Sequence, residues 1–311
     1  MGAETRITVA IPTYNRAGLL RQTLAGVLRQ DLPAGEYEVL VIDNNSLDDT
    51  PAAVASFAGA PTVPRHVIET LQGLDHARNR AIAEARGAIV VFADDDILVD
   101  PGWLRQLTAP LLADAYRRIG AVGGEVLPVF PDGLPPWLEG AHRPLAFRAD
   151  PGPLAPTQTP MGANLAFPKW VFTEQGPFNT ALDRQGMSLF SGGDGEMIRR
   201  LRSAGLEVWF VPAAAVRHQF PASRMTFRYA ARHAFDSARS RVVDRVGAGR
   251  PPVGYLASRF VANLGKAAGF AFLALLHTVL FRPGAARKAL VRAWRSCGYL
   301  YQIPRSARGR I

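Results

Sequence analysis

Cysteine is nearly absent from the 311-residue chain: Cys297 stands alone, so no internal disulfide and no cysteine-rich zinc module is possible. A reducing compartment is the simplest setting for such a chain. No G-x-G-x-x-G follows the first strand-like stretch, and Ile11 to Leu19 contains only Arg16 and Gly18 as a cation and a flexible turn residue. A dinucleotide oxidoreductase and a nucleotidyltransferase with a basic, triphosphate-cradling loop each lose their main signature. The apolar run Ala267–Phe281 is 15 residues long and interrupted by His277, short of the roughly 20 apolar residues of a spanning helix. Residues 1 to 10 hold Glu4 and no long apolar stretch, so no signal or transit peptide is visible and any membrane contact is expected from the inside.

Acid is scarce at one end. Residues 221–311 carry 17 Lys/Arg and 2 Asp/Glu, against 19 and 24 in residues 1–220, so the formal net charge of +10 divides into +15 and −5. The basic part needs counter-ions or a polyanionic neighbour, because like charges repel in a compact state. Flanked by Lys266 on one side and Arg282, Arg287 and Lys288 on the other, the run Ala267–Phe281 reads as an interfacial or partly inserted helix. A buried helix anchoring the tail to the main domain is the alternative. With 48% hydrophobic and 20% charged residues the chain as a whole is ordinary globular sequence with room for two domains. A boundary near residue 220 separates a domain over 1–220 from a basic helical extension over 221–311.

The first part alternates strands and helices. Arg6–Pro12, Glu38–Ile42, Val67–Glu69 and Ala88–Phe92 read as strands, the last an apolar run, AIVVF, buried on both faces. Between them, Gly18–Gln30 has helical spacing through Leu20, Leu24, Val27 and Leu28; a second helix carries Pro51 in its first turn, and His76–Arg86 forms a third. This rhythm predicts a mostly parallel sheet with helices on both faces and ligands beyond the carboxyl ends of the strands. Leu127–Thr159, rich in Pro, Gly and aromatics, reads as a long loop or lid, followed by a helix over Ser191–Gly205 and a strand over Glu207–Val211.

Asp94, Asp95 and Asp96 follow AIVVF directly. Side chains alternate along an extended chain, so Asp94 and Asp96 can face one site while Asp95 turns to the flanking backbone or a second ligand. Mutual repulsion among three carboxylates is offset by a hard cation such as Mg²⁺ or Mn²⁺, although an acidic turn capping the helix from Asp100 explains them without one. A second carboxylate, Asp43, follows another strand in the polar turn that includes Asn45, which points to a shared pocket at that sheet edge.

In order, Pro12-Thr-Tyr-Asn-Arg16, Asp43, Asp94-Asp-Asp96, Gly162-Ala-Asn164, Gly193-Asp-Gly-Glu196 and His218 resemble the inverting family 2 nucleotide-sugar glycosyltransferases of the GT-A fold, over about residues 6 to 220. That resemblance implies a GT-A (Rossmann-like) sheet. It implies that Pro12, Thr13, Tyr14, Arg16, Asp43, Asn45, Asp94 and Asp95 line the donor, with Asp43 accepting from the base, and that Asp94, Asp96 and His218 hold a divalent metal. Asp194 matches the general base, which removes the acceptor's proton as its oxygen attacks the anomeric carbon; capping of its own helix is a second reading of the residue. Arg78 is expected to approach the diphosphate, ahead of Arg80. Gly162, Asn164, Gly193 and Glu196 are assigned to the acceptor, with Trp137 as an aromatic platform for a sugar face. Trp170 is a further platform candidate, and Trp209 is expected to anchor the core. Many relatives carry Glu where this chain has Gly193. No Gln-x-x-Arg-Trp element of the processive synthases is present, which implies transfer of a single sugar.

The reading is a metal-dependent inverting transferase with UDP favoured, acting on a lipid-linked or glycan acceptor at the inner membrane face. The competing readings are a nucleotidyltransferase and a non-catalytic module bound to membrane through its basic tail. Nucleic acid is a less fitting partner.

Overall fold

The computed structural model describes residues 5–140, 143–182, 189–190, 192–247, 249 and 252–308. The expected helix start at Ser191 and the tail end at Arg310 lie outside them. Two units result, one from residues 1–129, 143–180 and 194–219, the other from 130–142, 181–193 and 220–311.

The first unit contains β1 (Ile7–Thr13), α1 (Ala17–Val27), β2 (Tyr37–Asp43), α2 (Thr50–Ala55), β3 (Arg65–Ile68), α3 (Leu74–Glu84), β4 (Ile89–Ala93), β5 (Ile97–Val99), α4 (Trp103–Ala113), β6 (Ile119–Val129), β7 (Gly152–Pro153), β8 (Asn164–Pro168), α5 (Trp170–Gln175), α6 (Gly193–Ser203) and β9 (Glu207–Gln219). Its sheet runs β3-β2-β1-β4-β8-β6-β9-β5, with β7 also on β9. The β3-β2-β1-β4 half is parallel. Beyond it β8 is antiparallel to both β4 and β6, whereas β6 and β9 run parallel. The sheet is therefore mixed, and the alternating rhythm could show only its parallel half. Gly-rich β6 and short β8 lack the apolar runs that mark the others.

Side-chain alternation builds one core on each face. Val91 and Ala93 of β4 join Leu20, Leu24 and Val27 of α1 and Leu104 and Leu107 of α4. Val90 and Phe92 turn the other way, toward Ala77 and Ala81 of α3, Phe172 of α5 and Ile198 and Leu201 of α6. Strand β9 is longer than the expected Glu207–Val211, and its far end pairs with β5 so that His218 lies opposite Ile97. That register carries a histidine from late in the chain to the acidic turn just before β5.

The second unit contains α7 (Phe227–Gly247), α8 (Val253–Val279) and α9 (Pro283–Ala307). Its main stretch begins at Phe220, but 130–142 and 181–193, assigned above to the first domain, also belong to it. Burial explains this: Trp137 and Leu138 pack with Met225, Phe227 and Val291, and Phe190 with Leu182 and Val243. Part of the expected lid is thus core of the basic unit. Helix α8 also begins 14 residues before the apolar run that marked it, and most of its surface is exposed. It is long and apolar enough to cross a membrane by length and composition, with mean hydropathy 1.4. The buried-anchor alternative fails, since only 11% of that stretch is buried.

Candidate active site

Three parallel strands end at one edge and deliver the turn residues there. Thr13 and Asp43 are register partners at the ends of β1 and β2, and the acidic turn follows β4. The two flanking turns are stitched together: Asn15 N–H donates to Ser46 Oγ at 2.9 Å, and Leu47 N–H to Asn15 Oδ1 at 2.8 Å. Asn15 and Asn45 both take left-handed backbone, with φ of 53° and 64°, a conformation asparagine tolerates better than most residues. Pro12 and Thr13 are buried within β1, and Tyr14 is exposed beside them.

Asp43 Oδ1 accepts the Ser46 N–H at 2.8 Å, and His66 Nε2 lies 3.2 Å from Oδ2. His66, on β3, escaped sequence reading because nothing local shows that β3 lies beside β2. In the acidic turn, Thr13 Oγ1 donates to Asp95 Oδ2 at 2.8 Å, while Arg16 Nη1 reaches Asp95 Oδ1 at 2.8 Å and Asp96 Oδ2 at 3.0 Å. Asp95 therefore meets the side chains of Thr13 and Arg16. Burial opposes the Arg16 charge, but Asp95 and Asp96 outweigh it and hold the guanidinium protonated above its ordinary range. Burial likewise raises Asp95, against the pull of Arg16.

Oxygens of Asp94 and Asp96 and a ring nitrogen of His218 lie within 4.8 Å of one another. His218 Nε2 is 2.8 Å from Asp96 Oδ1 and 3.9 Å from Asp94 Oδ2. Two hard carboxylates and one imidazole suit Mn²⁺ or Mg²⁺, so the residues present fit a divalent ion.

On the other side of the turn, buried Arg78 of α3 ion-pairs through Nη1 with Asp75 at 2.9 Å and Asp194 at 2.7 Å. Burial opposes its charge, and Asp194, Asp75 and Asp94 together raise its pKa above the ordinary range. Arg78, expected to approach a diphosphate, here contacts the carboxylates of Asp75 and Asp194. Asp75 was legible as the i−3 neighbour of Arg78 but went unread. Asp194, in the first turn of α6, also accepts the Gly162 N–H through Oδ2 at 3.0 Å. A Cβ on Gly162 would lie 2.4 Å from both Arg78 Nη2 and Asp194 Oδ2, so any larger residue here would displace that ion pair.

Several expected acceptor contacts are engaged elsewhere. Asn164 is fully buried: its Oδ1 accepts Trp103 Nε1 at 2.9 Å, and its Nδ2 donates to the carbonyls of Glu125 at 3.0 Å and Ala214 at 2.7 Å. It is a strut between strands because a buried amide must satisfy its polar atoms internally. Glu196 pairs with Arg200 at 2.8 Å, one helical turn on. Trp137 is a core ring of the second unit. Gly193 opens α6, and Gly162 meets Asp194 directly. Arg80 pairs with Glu84 at 2.9 Å on the surface of α3. Trp170 has Arg117 4.1 Å from its ring centroid, and Trp209 packs against the first core.

Residues 8–138 match the model described as Glycosyl transferase family 2. The chain carries a glycosyl transferase family 2 domain. The match takes in Asp43 and the acidic turn; Asp194 and His218 lie past its end. The glycosyltransferase AglE of Haloferax volcanii is 34% identical over 128 residues, 41% of each chain. The glucosyl-dolichyl phosphate glucuronosyltransferase of the same organism is 25% identical over 235 residues, 71% of this chain and 72% of that one. The alignment with AglE spans well under half of that protein, and that with the Staphylococcus aureus transferase TarS only 18% of it. Among solved structures, the mannosyltransferase PcManGT of Pyrobaculum calidifontis, in complex with GDP-Man and Mn²⁺, superposes with TM-score 0.58 at 22% identity, covering 99% of this chain and 77% of that one. The family 2 domain thus sits in a GT-A fold.

Proposed function

We propose that the protein is an inverting glycosyltransferase that moves one sugar from a nucleotide diphosphate sugar to a hydroxyl of a lipid-linked or glycan acceptor. The observation that carries this reading is the gathering of Asp94, Asp96 and His218 within 4.8 Å, at the edge where Asp43 also ends a strand of a family 2 domain. Asp94, Asp96 and His218 would hold a divalent ion, which when bound neutralises charge on the departing diphosphate. Support for a metal of this kind comes from the neighbour solved with GDP-Man and Mn²⁺.

In this mechanism Asp43 accepts an N–H of the donor base, with His66 and the Ser46 N–H fixing its carboxylate. UDP is the favoured nucleotide because a carboxylate suits an imide N–H, and a neighbour of the same fold was solved with UDP. Tyr14, exposed at the end of β1, flanks that base. Asp194 takes the proton of the acceptor hydroxyl as its oxygen attacks the anomeric carbon, and one displacement inverts the configuration. Arg78 and the Gly162 N–H orient the Asp194 carboxylate, which is the alignment such a displacement depends on. The +15 charge after residue 220 and the exposed apolar α8 support placement at the inner face of a membrane.

The test is a panel of sugar nucleotides with Mn²⁺ or Mg²⁺, scored for nucleotide binding and slow donor hydrolysis. Asp96→Asn is expected to lose metal-dependent binding, and Asp194→Asn to keep binding while losing transfer by roughly a thousandfold or more. A folded wild-type sample that binds no sugar nucleotide at millimolar concentration overturns the reading.

A further inference from the structure

The second unit holds a cavity of about 250 Å³ lined by Arg241, Val242 and Arg245 of α7, Tyr255, Leu256 and Arg259 of α8, and Tyr299 and Ile303 of α9. Three solvent-exposed arginines, Arg241, Arg245 and Arg259, are among its lining residues. Among the described residues none of the three pairs with a carboxylate, and Asp244, between two of them in sequence, does not line the cavity. Arg245 instead sits 5.8 Å from the Tyr255 ring centroid. Three arginines along one groove concentrate positive charge there, and an anion is attracted to such a place. Phosphate is the anion their forked donors match best. The remaining walls, Val242, Leu256, Ile303 and two tyrosine rings, are apolar or amphipathic, so the site suits a phosphate attached to an apolar body.

Beyond Arg259 the same helix supplies the apolar surroundings. From Phe260 to Phe281 its only Lys, Arg, Asp or Glu is Lys266. Val261, Leu264, Phe272, Leu275, Val279 and Phe281 are exposed, Phe272 by 68% and Phe281 by 94%. Helix α9 runs back along α8, and Arg292 lies 5.8 Å from the Phe270 ring centroid. Exposed Arg287, Lys288, Arg292 and Arg295 therefore travel beside the apolar stretch. A crossing α8 would drag these cations into hydrocarbon, which is costly. A hairpin lying in the interface keeps them at headgroup level while its apolar side enters the acyl boundary.

We propose that the cavity between α7, α8 and α9 binds the phosphate headgroup of an anionic membrane lipid while the exposed face of α8 lies in the bilayer interface. This rests on the membrane-facing reading above and assigns it a site and an orientation. The ligand chemistry is a phosphate ester with an apolar body.

The test is co-sedimentation of the full chain with phosphatidylglycerol-containing and pure phosphatidylcholine vesicles. Wild type is expected to favour the anionic vesicles. Arg241→Gln/Arg245→Gln/Arg259→Gln is expected to lose on the order of 100-fold in partitioning, from roughly fivefold per cation near an anionic surface. Removing three exposed arginines of the first unit, as Arg6→Gln/Arg21→Gln/Arg29→Gln, is expected to lose only a few-fold. Phe272→Ser/Leu275→Ser is expected to weaken binding to both vesicle types. Equal losses from the two arginine triples mean diffuse charge alone and overturn the site; absence of wild-type binding overturns site and orientation together. Thermal stabilisation by inorganic phosphate or glycerol 3-phosphate through the three arginines, with no vesicle binding, reassigns the cavity to a soluble phosphate and overturns the lipid assignment. Sugar-nucleotide binding is read on the same preparations, so failure of the transferase reading shows there and failure of the lipid site shows in the vesicles.

Discussion

Arg78 Nη1 lies 2.7 Å from Asp194 Oδ1 and 2.9 Å from Asp75 Oδ1, so one buried guanidinium fixes the side chain expected to take the acceptor's proton. Its fork makes contacts that a lysine ammonium cannot reproduce in the same geometry. Arg78→Lys is expected to keep donor affinity within a few-fold and to lower kcat by about 100-fold. Arg78→Met leaves two carboxylates without their cation and is expected to cost about 3–5 kcal/mol of stability. Equal kcat for Arg78→Lys and wild type would remove Arg78 from this positioning role.

Gly162 offers a narrower test of the same geometry. In Gly162→Ala the new methyl meets both Arg78 Nη2 and Asp194 Oδ2 at 2.4 Å, and the flexible ion pair must shift. Turnover is expected to fall on the order of 100-fold while KM for the donor holds. A rise in donor KM without loss of kcat would instead tie Gly162 to the donor.

Asn164 is expected to govern stability. Asn164→Ala strands the Trp103 indole N–H and the carbonyls of Glu125 and Ala214, all inside the first unit. Each orphaned group costs about 1–3 kcal/mol, so urea unfolding should show a loss of at least about 3 kcal/mol. A midpoint within error of wild type would contradict the strut.

Glu38 sets an acid limit. Burial alone would raise its carboxyl, but the Arg86 N–H, Arg65 and Thr8 outweigh burial and hold it below its ordinary 4.5. A carboxyl depressed in the folded state contributes stability above that value and loses it as pH falls through the folded pKa. Glu38→Gln is expected to unfold more readily at neutral pH and to show a flatter decline in Tm below about pH 4.5. Parallel Tm-against-pH curves for the two proteins would refute the assignment.

Legibility in the sequence followed the range of the interactions. Strands β1, β2 and β4 announced themselves because apolar runs and the following Asp43 and Asp94 are local signals. Strand β8 did not, since Asn-Leu-Ala-Phe-Pro is short and its antiparallel place between β4 and β6 depends on residues far along the chain. The same divide runs through the site. The acidic turn could be read directly and His218 by resemblance, whereas the His66–Asp43 contact needs the order of strands. Asn164 and Glu196 sit in the right motifs with their polar atoms already engaged, a fact only packing reveals. Trp137 misled because a tryptophan among prolines looks like a surface platform until Phe227 and Met225 are seen around it.

The interleaving of the second unit constrains how this polypeptide can be made. Residues 130–142 and 181–193 are synthesised well before α7 and α9, which pack on Trp137, Leu138 and Phe190. Until α7 emerges Phe190 lacks Val243, and until α9 emerges Trp137 and Leu138 lack Val291; a polypeptide ending at Gln219 would lack all of these partners. Nascent chains therefore carry sticky internal segments through the last third of translation, a window in which a chaperone, or the bilayer itself, has something to hold.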